Sequence, residues 1–322
     1  MPSDLYCGID FGGTSVRAAI ADVNGLILGQ RATPTDADRG PEAVIETINT
    51  CVADLMRSFS VTELQGIGIG VPGLVDVKSG VTKFLPNLAT QWRDVPIAQR
   101  LRERFSCRVN ILNDARTATL GELRFGHGKG RAGLTMAFFS IGTGIGGGVV
   151  IDGSLRLGPL GAAGELGHQT IVADGPKCGC GNHGCLETLA SGPAIAAEGL
   201  RLMRAGKAPN LAEQVAGDES KVTPQTMCTA AEFDPAIQDA LVVAARHIGV
   251  GAANVVAILH PDLVVIGGGV SEIGNLLTDE VRTVIRQRVG MFPTNDVRVE
   301  RSKLGDQAGL IGAVALATKA NL

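Results

Sequence analysis

Three glycine-rich turns, each placed after a short apolar strand, constrain this chain more than any other feature of its sequence. They are Asp10-Phe11-Gly12-Gly13-Thr14, Gly142-Thr143-Gly144-Ile145-Gly146 and Gly267-Gly268-Gly269. Glycine lacks a Cβ atom, so backbone N–H groups in such turns can approach phosphate oxygens closely. The first two turns therefore predict phosphate-binding loops, with a plain hairpin turn as the alternative for either of them taken alone.

Two segments match the letters of the dinucleotide-binding pattern Gly-x-Gly-x-x-Gly, at residues 68–73 and 142–147. That pattern requires a helix whose N-terminus faces the pyrophosphate. Pro72 and a turn-rich segment belong to the first match, and a predicted strand follows the second. No Gly-x-x-x-x-Gly-Lys-Ser/Thr run is present either. Phosphate binding of the Rossmann or Walker A type is therefore excluded.

Predicted strands and helices alternate along the chain, which indicates an α/β fold. A length of 322 residues favours about two domains. We predict a small α/β domain at residues 1–113 and a large one at residues 114–305. An amphipathic segment near residues 306–322 predicts a terminal helix that returns to the small domain.

Charge and composition exclude several classes of partner. The 29 Lys and Arg residues nearly balance 32 Asp and Glu residues, and no basic block is present, so we expect no nucleic-acid partner. The N-terminus lacks the basic and apolar regions of a signal peptide, which predicts a cytoplasmic location. The uncharged segment 132–151 contains too much glycine for a membrane helix, so no membrane partner is expected.

In order and spacing, the three turns resemble the two phosphate motifs and the adenosine motif of the actin-like sugar-kinase superfamily. Two further segments, Gly164-Glu165-Leu166-Gly167-His168 and Cys178-Gly-Cys180-Gly-Asn-His-Gly-Cys185-Leu-Glu187, are similar to the signature of the ROK family (repressors, open reading frames, kinases). The similarity extends over about residues 5–318, with Phe11 as a small departure. It implies an actin-like ATPase (ribonuclease H-like) fold whose two α/β domains close over a cleft.

The resemblance also implies a nucleotide site. ATP is expected as the cofactor, with Mg²⁺ held through water by Asp10. The residues expected to bind the nucleotide are Asp10, Gly12, Gly13, Thr14, Gly142, Thr143, Gly144, Gly146, Gly267, Gly268 and Gly269.

The cysteine segment predicts a structural Zn²⁺ site. Cys178, Cys180 and Cys185 offer three thiolates, and His168 adds an imidazole, which completes a closed tetrahedral set. His183 is a competing ligand inside the tight loop, and the family resemblance assigns the role to His168. The alternative is three reduced thiols, but free cysteine is normally buried in apolar surroundings, which this loop does not offer.

Asn113 and Asp114 follow a predicted strand and begin a helix, which is where α/β sheets place ligands. Asp114 taken alone could be a helix N-cap. The family resemblance implies that Asp114 is instead the catalytic base that accepts the proton of the sugar hydroxyl, with Asn113 on a neighbouring hydroxyl. The expected substrate-binding residues are Gly73, Asn87, Asn113, Asp114, Glu165, His168 and Glu187.

The predicted function is an ATP-dependent hexose kinase that phosphorylates the 6-hydroxyl of glucose or a related hexose, at the entry to glycolysis. An N-acetylated hexosamine (N-acetylmannosamine or N-acetylglucosamine) or a cyclitol is the alternative acceptor, and polyphosphate is an alternative donor. A sugar-responsive ROK repressor is the rival class, but its N-terminal helix-turn-helix has no room before Asp10. Apolar helix faces predict a homodimer or homotetramer.

Overall fold

The computed structural model describes residues 4–85, 88, 90 and 92–319. In chain order its strands are β1 Leu5–Phe11, β2 Ser15–Asp22, β3 Ile27–Pro34, β4 Gly66–Val71, β5 Leu74–Asp76, β6 Val81–Phe84, β7 Arg108–Asn113, β8 Met136–Ile141, β9 Ile145–Ile151, β10 Ser154–Leu155, β11 Leu263–Gly267 and β12 Arg298–Arg301. Its α-helices are α1 Pro41–Ser58, α2 Ile97–Phe105, α3 Asp114–Arg124, α4 Leu186–Ala190, α5 Gly192–Arg204, α6 Pro209–Gln214, α7 Pro224–Ala230, α8 Pro235–Leu259, α9 Asn275–Arg288 and α10 Ala308–Ala317.

The chain forms two compact units. The first unit contains residues 1–133, 149–164 and 306–322, and the second contains residues 134–148 and 165–305. Residues 114–133 and 149–164, which we had assigned to the large domain, thus group with the first unit. The terminal helix α10 also belongs to the first unit.

A five-stranded sheet in the order β3-β2-β1-β4-β7 forms the centre of the first unit. Its strands β1, β4 and β7 run parallel, with Ile9 opposite Ile69 and Ile69 opposite Ile111. These three isoleucines are fully buried, as expected for parallel strands covered on both faces. Because the strands are parallel, their carboxyl ends meet at one edge, where Asp10, Gly70 and Leu112 lie side by side.

Helix α10 covers this sheet at very short range because glycine lines the contact. A Cβ atom at Gly68 of β4 would lie 2.1 Å from the carbonyl oxygen of Ala313 in α10. Helix α10 also meets α3 through facing glycines, since a Cβ atom at Gly121 would lie 3.0 Å from Gly312 Cα. This packing explains why α3 groups with the first unit.

The second five-stranded sheet has the order β10-β9-β8-β11-β12. Strand β11 lies between β8 and β12 and is parallel to both, so that Val265 is opposite Phe138 and Glu300. Helix α8 packs in the second unit. Within the described part of the chain, α8 alone is long and apolar enough to cross a membrane, and more than half of its most apolar stretch is buried in the protein.

Candidate active site

Asn113 and Asp114 lie where β7 passes directly into α3. Asn113 is the N-cap of α3, because its Oδ1 accepts hydrogen bonds from the amides of Ala115 at 3.0 Å and Arg116 at 3.3 Å. Asp114 is the first residue of the helix, and its Oδ1 accepts the Ala115 amide at 2.8 Å. The capping role that we considered for Asp114 is thus performed by Asn113.

The side chain of Asn113 is held by a buried arginine. Arg116 Nη1 donates to Asn113 Oδ1 at 3.0 Å, and Arg116 Nε donates to the carbonyl oxygen of Ala163 at 2.8 Å. Asn113 Nδ2 donates to the carbonyl oxygen of Gly73 at 3.2 Å. At most one amide hydrogen of Asn113 can therefore reach a sugar hydroxyl. Arg116 was not among the predicted site residues.

The first glycine turn places Asp10 beside an arginine. Asp10 lies opposite Arg17 in the β1–β2 pair, and its Oδ2 accepts hydrogen bonds from Arg17 Nη2 at 2.6 Å and Nε at 3.2 Å. Arg17 Nη2 also donates to the carbonyl oxygen of Asp306 at 3.0 Å. Gly13 and Thr14, at the tip of the turn, are exposed. Pairing the two predicted strands across this turn would have placed Arg17 opposite Asp10.

The second and third turns meet at one edge of the second sheet. The second turn joins β8 to β9 and is closed by a hydrogen bond from the Gly142 amide to the Gly144 carbonyl oxygen at 2.9 Å. The third turn ends β11, next to β8. A Cβ atom at Gly268, whose φ is +79°, would lie 2.3 Å from the carbonyl oxygen of Ile141, so glycine is required there.

The predicted zinc ligands form one compact group. The ligand atoms of His168, Cys178, Cys180 and Cys185 all lie within 4.8 Å of one another. Cys180 Sγ is 3.7 Å from Cys185 Sγ, and Cys178 Sγ is 3.6 Å from His168 Nδ1. A tetrahedral zinc with ordinary bond lengths separates two sulfurs by about 3.8 Å and a sulfur from a nitrogen by about 3.6 Å. The group therefore fits Zn²⁺, and the competing His183 is not part of it.

Two of these thiols have shifted pKa values. Burial, together with hydrogen bonds from Cys178 and Cys180, raises the pKa of Cys185 to about 12. A hydrogen bond from the Asn182 amide holds the pKa of Cys180 below its usual value. Because thiolates are the metal ligands, a metal that binds here must displace protons.

The two predicted sugar-binding groups of the Gly-Glu-Leu-Gly-His segment lie together. His168 Nε2, the nitrogen that does not face the cysteines, is 4.0 Å from Glu165 Oε2. Glu187 belongs to α4, and its side chain contacts the second glycine turn. Its Oε2 accepts a hydrogen bond from the Ile145 amide at 2.7 Å. No pattern in the sequence predicted this contact between a predicted sugar-binding residue and a predicted nucleotide-binding turn.

The predicted site residues are divided between the two units. The first unit holds Asp10, Gly12, Gly13, Thr14, Gly73, Asn113 and Asp114, whereas the second holds Gly142, Thr143, Gly144, Gly146, Glu165, His168, Cys178, Cys180, Cys185, Glu187, Gly267, Gly268 and Gly269. Asn87 lies outside the described residues.

Comparison with known proteins identifies relatives over nearly the whole chain. A glucokinase of Streptomyces coelicolor is 35% identical over 97% of this chain and 97% of its own length. A putative xylose repressor of a Caldicellulosiruptor species is also 35% identical, over 97% of this chain and 77% of its own length. The crystal structure of a ROK family glucokinase from Streptomyces griseus with glucose and AMPPNP is 34% identical and covers 97% of this chain and 99% of its own, with a TM-score of 0.82.

The fold is therefore that of the actin-like ATPases, as the family resemblance implied. A sequence model of the ROK family matches residues 6–320. The chain belongs to the ROK family, and its glucokinase relatives support the predicted enzyme class, a phosphotransferase that acts on a sugar hydroxyl.

Proposed function

We propose that this protein is an ATP-dependent hexose kinase that phosphorylates the 6-hydroxyl of glucose or a related hexose. The observation that carries the proposal is the position of Asp114. Asp114 lies at the carboxyl edge of the first sheet, two residues after Leu112. In that sheet Leu112 is opposite Gly70, and Gly70 is opposite Asp10. Asn113 is the N-cap of α3, and Asp114 is the first residue of the helix.

In this reaction the sugar 6-oxygen attacks the γ-phosphorus and forms a new P–O bond. The bond between the γ-phosphorus and the β–γ bridging oxygen breaks, and ADP leaves with that oxygen. Asp114 orients the hydroxyl and accepts its proton. Asn113 contributes one amide hydrogen to a neighbouring hydroxyl.

The nucleotide and its metal would be held by the glycine turns. Exposed backbone at Gly13, Thr14 and Thr143 is accessible to phosphate oxygens. Mg²⁺ commonly binds one carboxylate and several waters, and Asp10 offers its Oδ1, while Arg17 holds Oδ2. When bound, Mg²⁺ neutralises phosphate charge.

Structural Zn²⁺ would occupy the group formed by His168 and the three cysteines. With four protein ligands such a site is closed, so its contribution is to hold the polypeptide in shape. Glu165, His168 and Glu187 would supply the remaining contacts to the hexose.

We also propose that the enzyme is cytoplasmic, with neither nucleic acid nor membrane as partner. It assembles as a homodimer or homotetramer, which exposed apolar residues of α8 support: Val243 is 47% and Ile258 is 79% exposed. N-acetylated hexosamines remain the second choice of acceptor, because Leu74, next to Gly73, offers no side-chain hydrogen bond.

A coupled assay of ADP release tests ATP as donor against a set of acceptors. The purified protein is given ATP and Mg²⁺ with glucose, mannose, N-acetylmannosamine, N-acetylglucosamine or a cyclitol. Polyphosphate releases no ADP, so it is tested as donor in parallel by the appearance of sugar phosphate in ³¹P NMR. We expect the highest kcat/KM with ATP and glucose, and a 6-phosphate product by ³¹P NMR. Turnover confined to an acetylated sugar would reassign the acceptor, and no turnover with any acceptor would reject the kinase.

A further inference from the structure

Glu187 lies between the cysteine group and the second glycine turn. It is in the first turn of α4, two residues after Cys185, and it is one of the residues proposed above to bind the hexose. Its Oε2 accepts the Ile145 amide at 2.7 Å. This is a hydrogen bond with a carboxylate acceptor, which is stronger than a bond between neutral groups. One side chain thus joins a proposed sugar contact to a proposed phosphate turn.

The segment that contains Glu187 holds the other end of the same turn as well. The Gly192 amide, at the start of α5, donates to the carbonyl oxygen of Gly142 at 2.8 Å. The Ser191 amide donates to the Glu187 carbonyl oxygen at 3.2 Å, which connects the two contacts. The turn is therefore fixed at Gly142 by a backbone contact and at Ile145 by a side chain.

The carboxylate fits this place only because residue 144 is glycine. A Cβ atom at Gly144 would lie 2.5 Å from Glu187 Oε2, closer than such contacts occur. Any larger residue would displace either the turn or the carboxylate. The absence of a side chain at Gly144 thus has a reason within the protein, in addition to the approach of a phosphate.

We propose that Glu187 is a positioning residue for nucleotide binding and that it couples the nucleotide to the sugar. Oε2 holds the turn at residues 142–146, and Oε1 is available to the hexose. A hexose on Oε1 restrains the same side chain that restrains the turn, so each ligand lowers the ordering cost of the other. This inference rests on the proposed kinase function.

The test measures nucleotide affinity without sugar, a quantity that a residue contacting only the sugar would not change. Titration calorimetry with AMPPNP and Mg²⁺ is performed on the wild type, Glu187→Ala and Glu187→Gln. We expect Glu187→Ala to raise the nucleotide Kd about tenfold, because it removes a hydrogen bond to a charged group. Glu187→Gln retains an oxygen that can accept the Ile145 amide, so its Kd should lie within about threefold of wild type.

The matched control is Glu198→Gln on α5, which removes the charge of an exposed carboxylate paired with Arg201. Its nucleotide Kd should equal that of the wild type. Melting temperature and zinc content are measured for each variant. If Glu187→Ala does not fold, Glu187→Asp replaces it, because the shorter side chain withdraws the carboxylate from the Ile145 amide and from residue 144. Combination with Gly144→Ala then gives a double-mutant cycle in which non-additive effects on Kd are expected.

Coupling is measured by repeating each titration with saturating glucose. In the wild type, glucose should lower the nucleotide Kd, and Glu187→Ala should abolish most of this change. An unchanged sugar-free Kd in folded Glu187→Ala, or strict additivity in the cycle, overturns the inference. The proposed function fails differently, because a wild-type protein that binds no nucleotide at all contradicts the kinase rather than the role of Glu187.

Discussion

Asp114 and Asn113 are adjacent in sequence but perform different tasks. Asn113 uses its side-chain oxygen to cap α3 and is held by Arg116, whereas Asp114 is the first helical residue. A change at Asp114 can therefore be made without removing the cap. This separates a test of chemistry from a test of stability.

Asp114→Asn should keep the fold and remove most of the turnover. Asparagine preserves the shape of the side chain but cannot accept the proton, and positioned bases contribute about 10²- to 10⁴-fold in rate. Loss of negative charge at the helix start costs only about 0.3–1 kcal/mol. We expect kcat to fall at least a hundredfold in the coupled assay while the melting temperature changes by only a few degrees. If kcat stays within fivefold of wild type, Asp114 is not the catalytic base, and Glu165 is the next candidate.

The cysteine group should support both stability and sugar binding. Cys180→Ser removes one ligand from the group, and Glu187 follows the last cysteine ligand by two residues. We expect less than one equivalent of zinc by mass spectrometry of metals, a lower melting temperature and a raised sugar KM.

Cys228→Ser is the matched control for that experiment, because Cys228 lies in the second unit but outside the group of four. Its zinc content and KM should match the wild type. If Cys180→Ser keeps a full equivalent of zinc and a normal KM, the site has been assigned wrongly.

At the residue scale, the sequence predicted groups of ligands better than it predicted contacts. The spacing of the three cysteines is typical of a metal site, and the family resemblance added His168. Arg17, Arg116 and the contact of Glu187 with Ile145 were not predicted. The Asp10–Arg17 pair depends on the register across the first turn, whereas the contacts of Arg116 and Glu187 join segments that are distant in the sequence.

Glycine determines how closely the elements of the first unit pack. Gly68 of β4 lies directly under the backbone of α10, and Gly121 of α3 faces Gly312 of the same helix. Glycine accounts for 44 of the 322 residues, which indicates many tight turns and close backbone approaches. The tertiary structure reveals which glycines serve packing between a helix and a sheet.

Gly68→Ala should destabilise the first unit strongly. The new methyl group would lie 2.1 Å from the Ala313 carbonyl oxygen and 2.7 Å from the Ala317 amide nitrogen, both of them backbone atoms that cannot move aside alone. Overpacking of a core typically costs about 1–3 kcal/mol, and we expect the upper end of that range. Denaturant unfolding provides the measurement.

Gly290→Ala is the control substitution, since no atom lies within 4 Å of a Cβ atom built there. Its free energy of unfolding should stay within about 0.5 kcal/mol of wild type. Equal stability of the two variants would show that α10 can move away from β4 at little cost, contrary to the packing described above.

Element types along the chain were predictable because apolar periodicity and glycine turns mark them. The parallel order of β1, β4 and β7 and the position of α10 could be expected from the α/β pattern and from the family resemblance. The grouping of residues 114–133 with the first unit could not, because it arises from contacts of α3 with α10. Residues 149–164 contact the same unit through the hydrogen bonds of Arg116 to the carbonyl oxygens of Ala162 and Ala163. The division into domains at residue 113 stays a prediction, and the two compact units have different bounds.

At the scale of the whole molecule, the proposed hexose contacts are shared between the two units. Asn113 and Asp114 belong to one unit, and Glu165, His168 and Glu187 belong to the other. If one hexose contacts both sets, ligand binding should bring the units together and exclude water from the phosphoryl donor. We expect small-angle X-ray scattering to show a smaller radius of gyration with glucose plus AMPPNP and Mg²⁺ than without ligands. An unchanged radius at saturation would argue against closure.

The position of α10 in the first unit affects how the chain can fold as it is synthesised. Domains generally fold in the order in which they leave the ribosome. Here, the face of the first sheet that α10 covers stays exposed until residues 308–317 have been translated, because α10 is the helix that packs onto Gly68. The second unit can be completed earlier in the nascent chain. A chain that stops short of α10 would therefore lose the unit that was made first, and its exposed strands would be a substrate for chaperones.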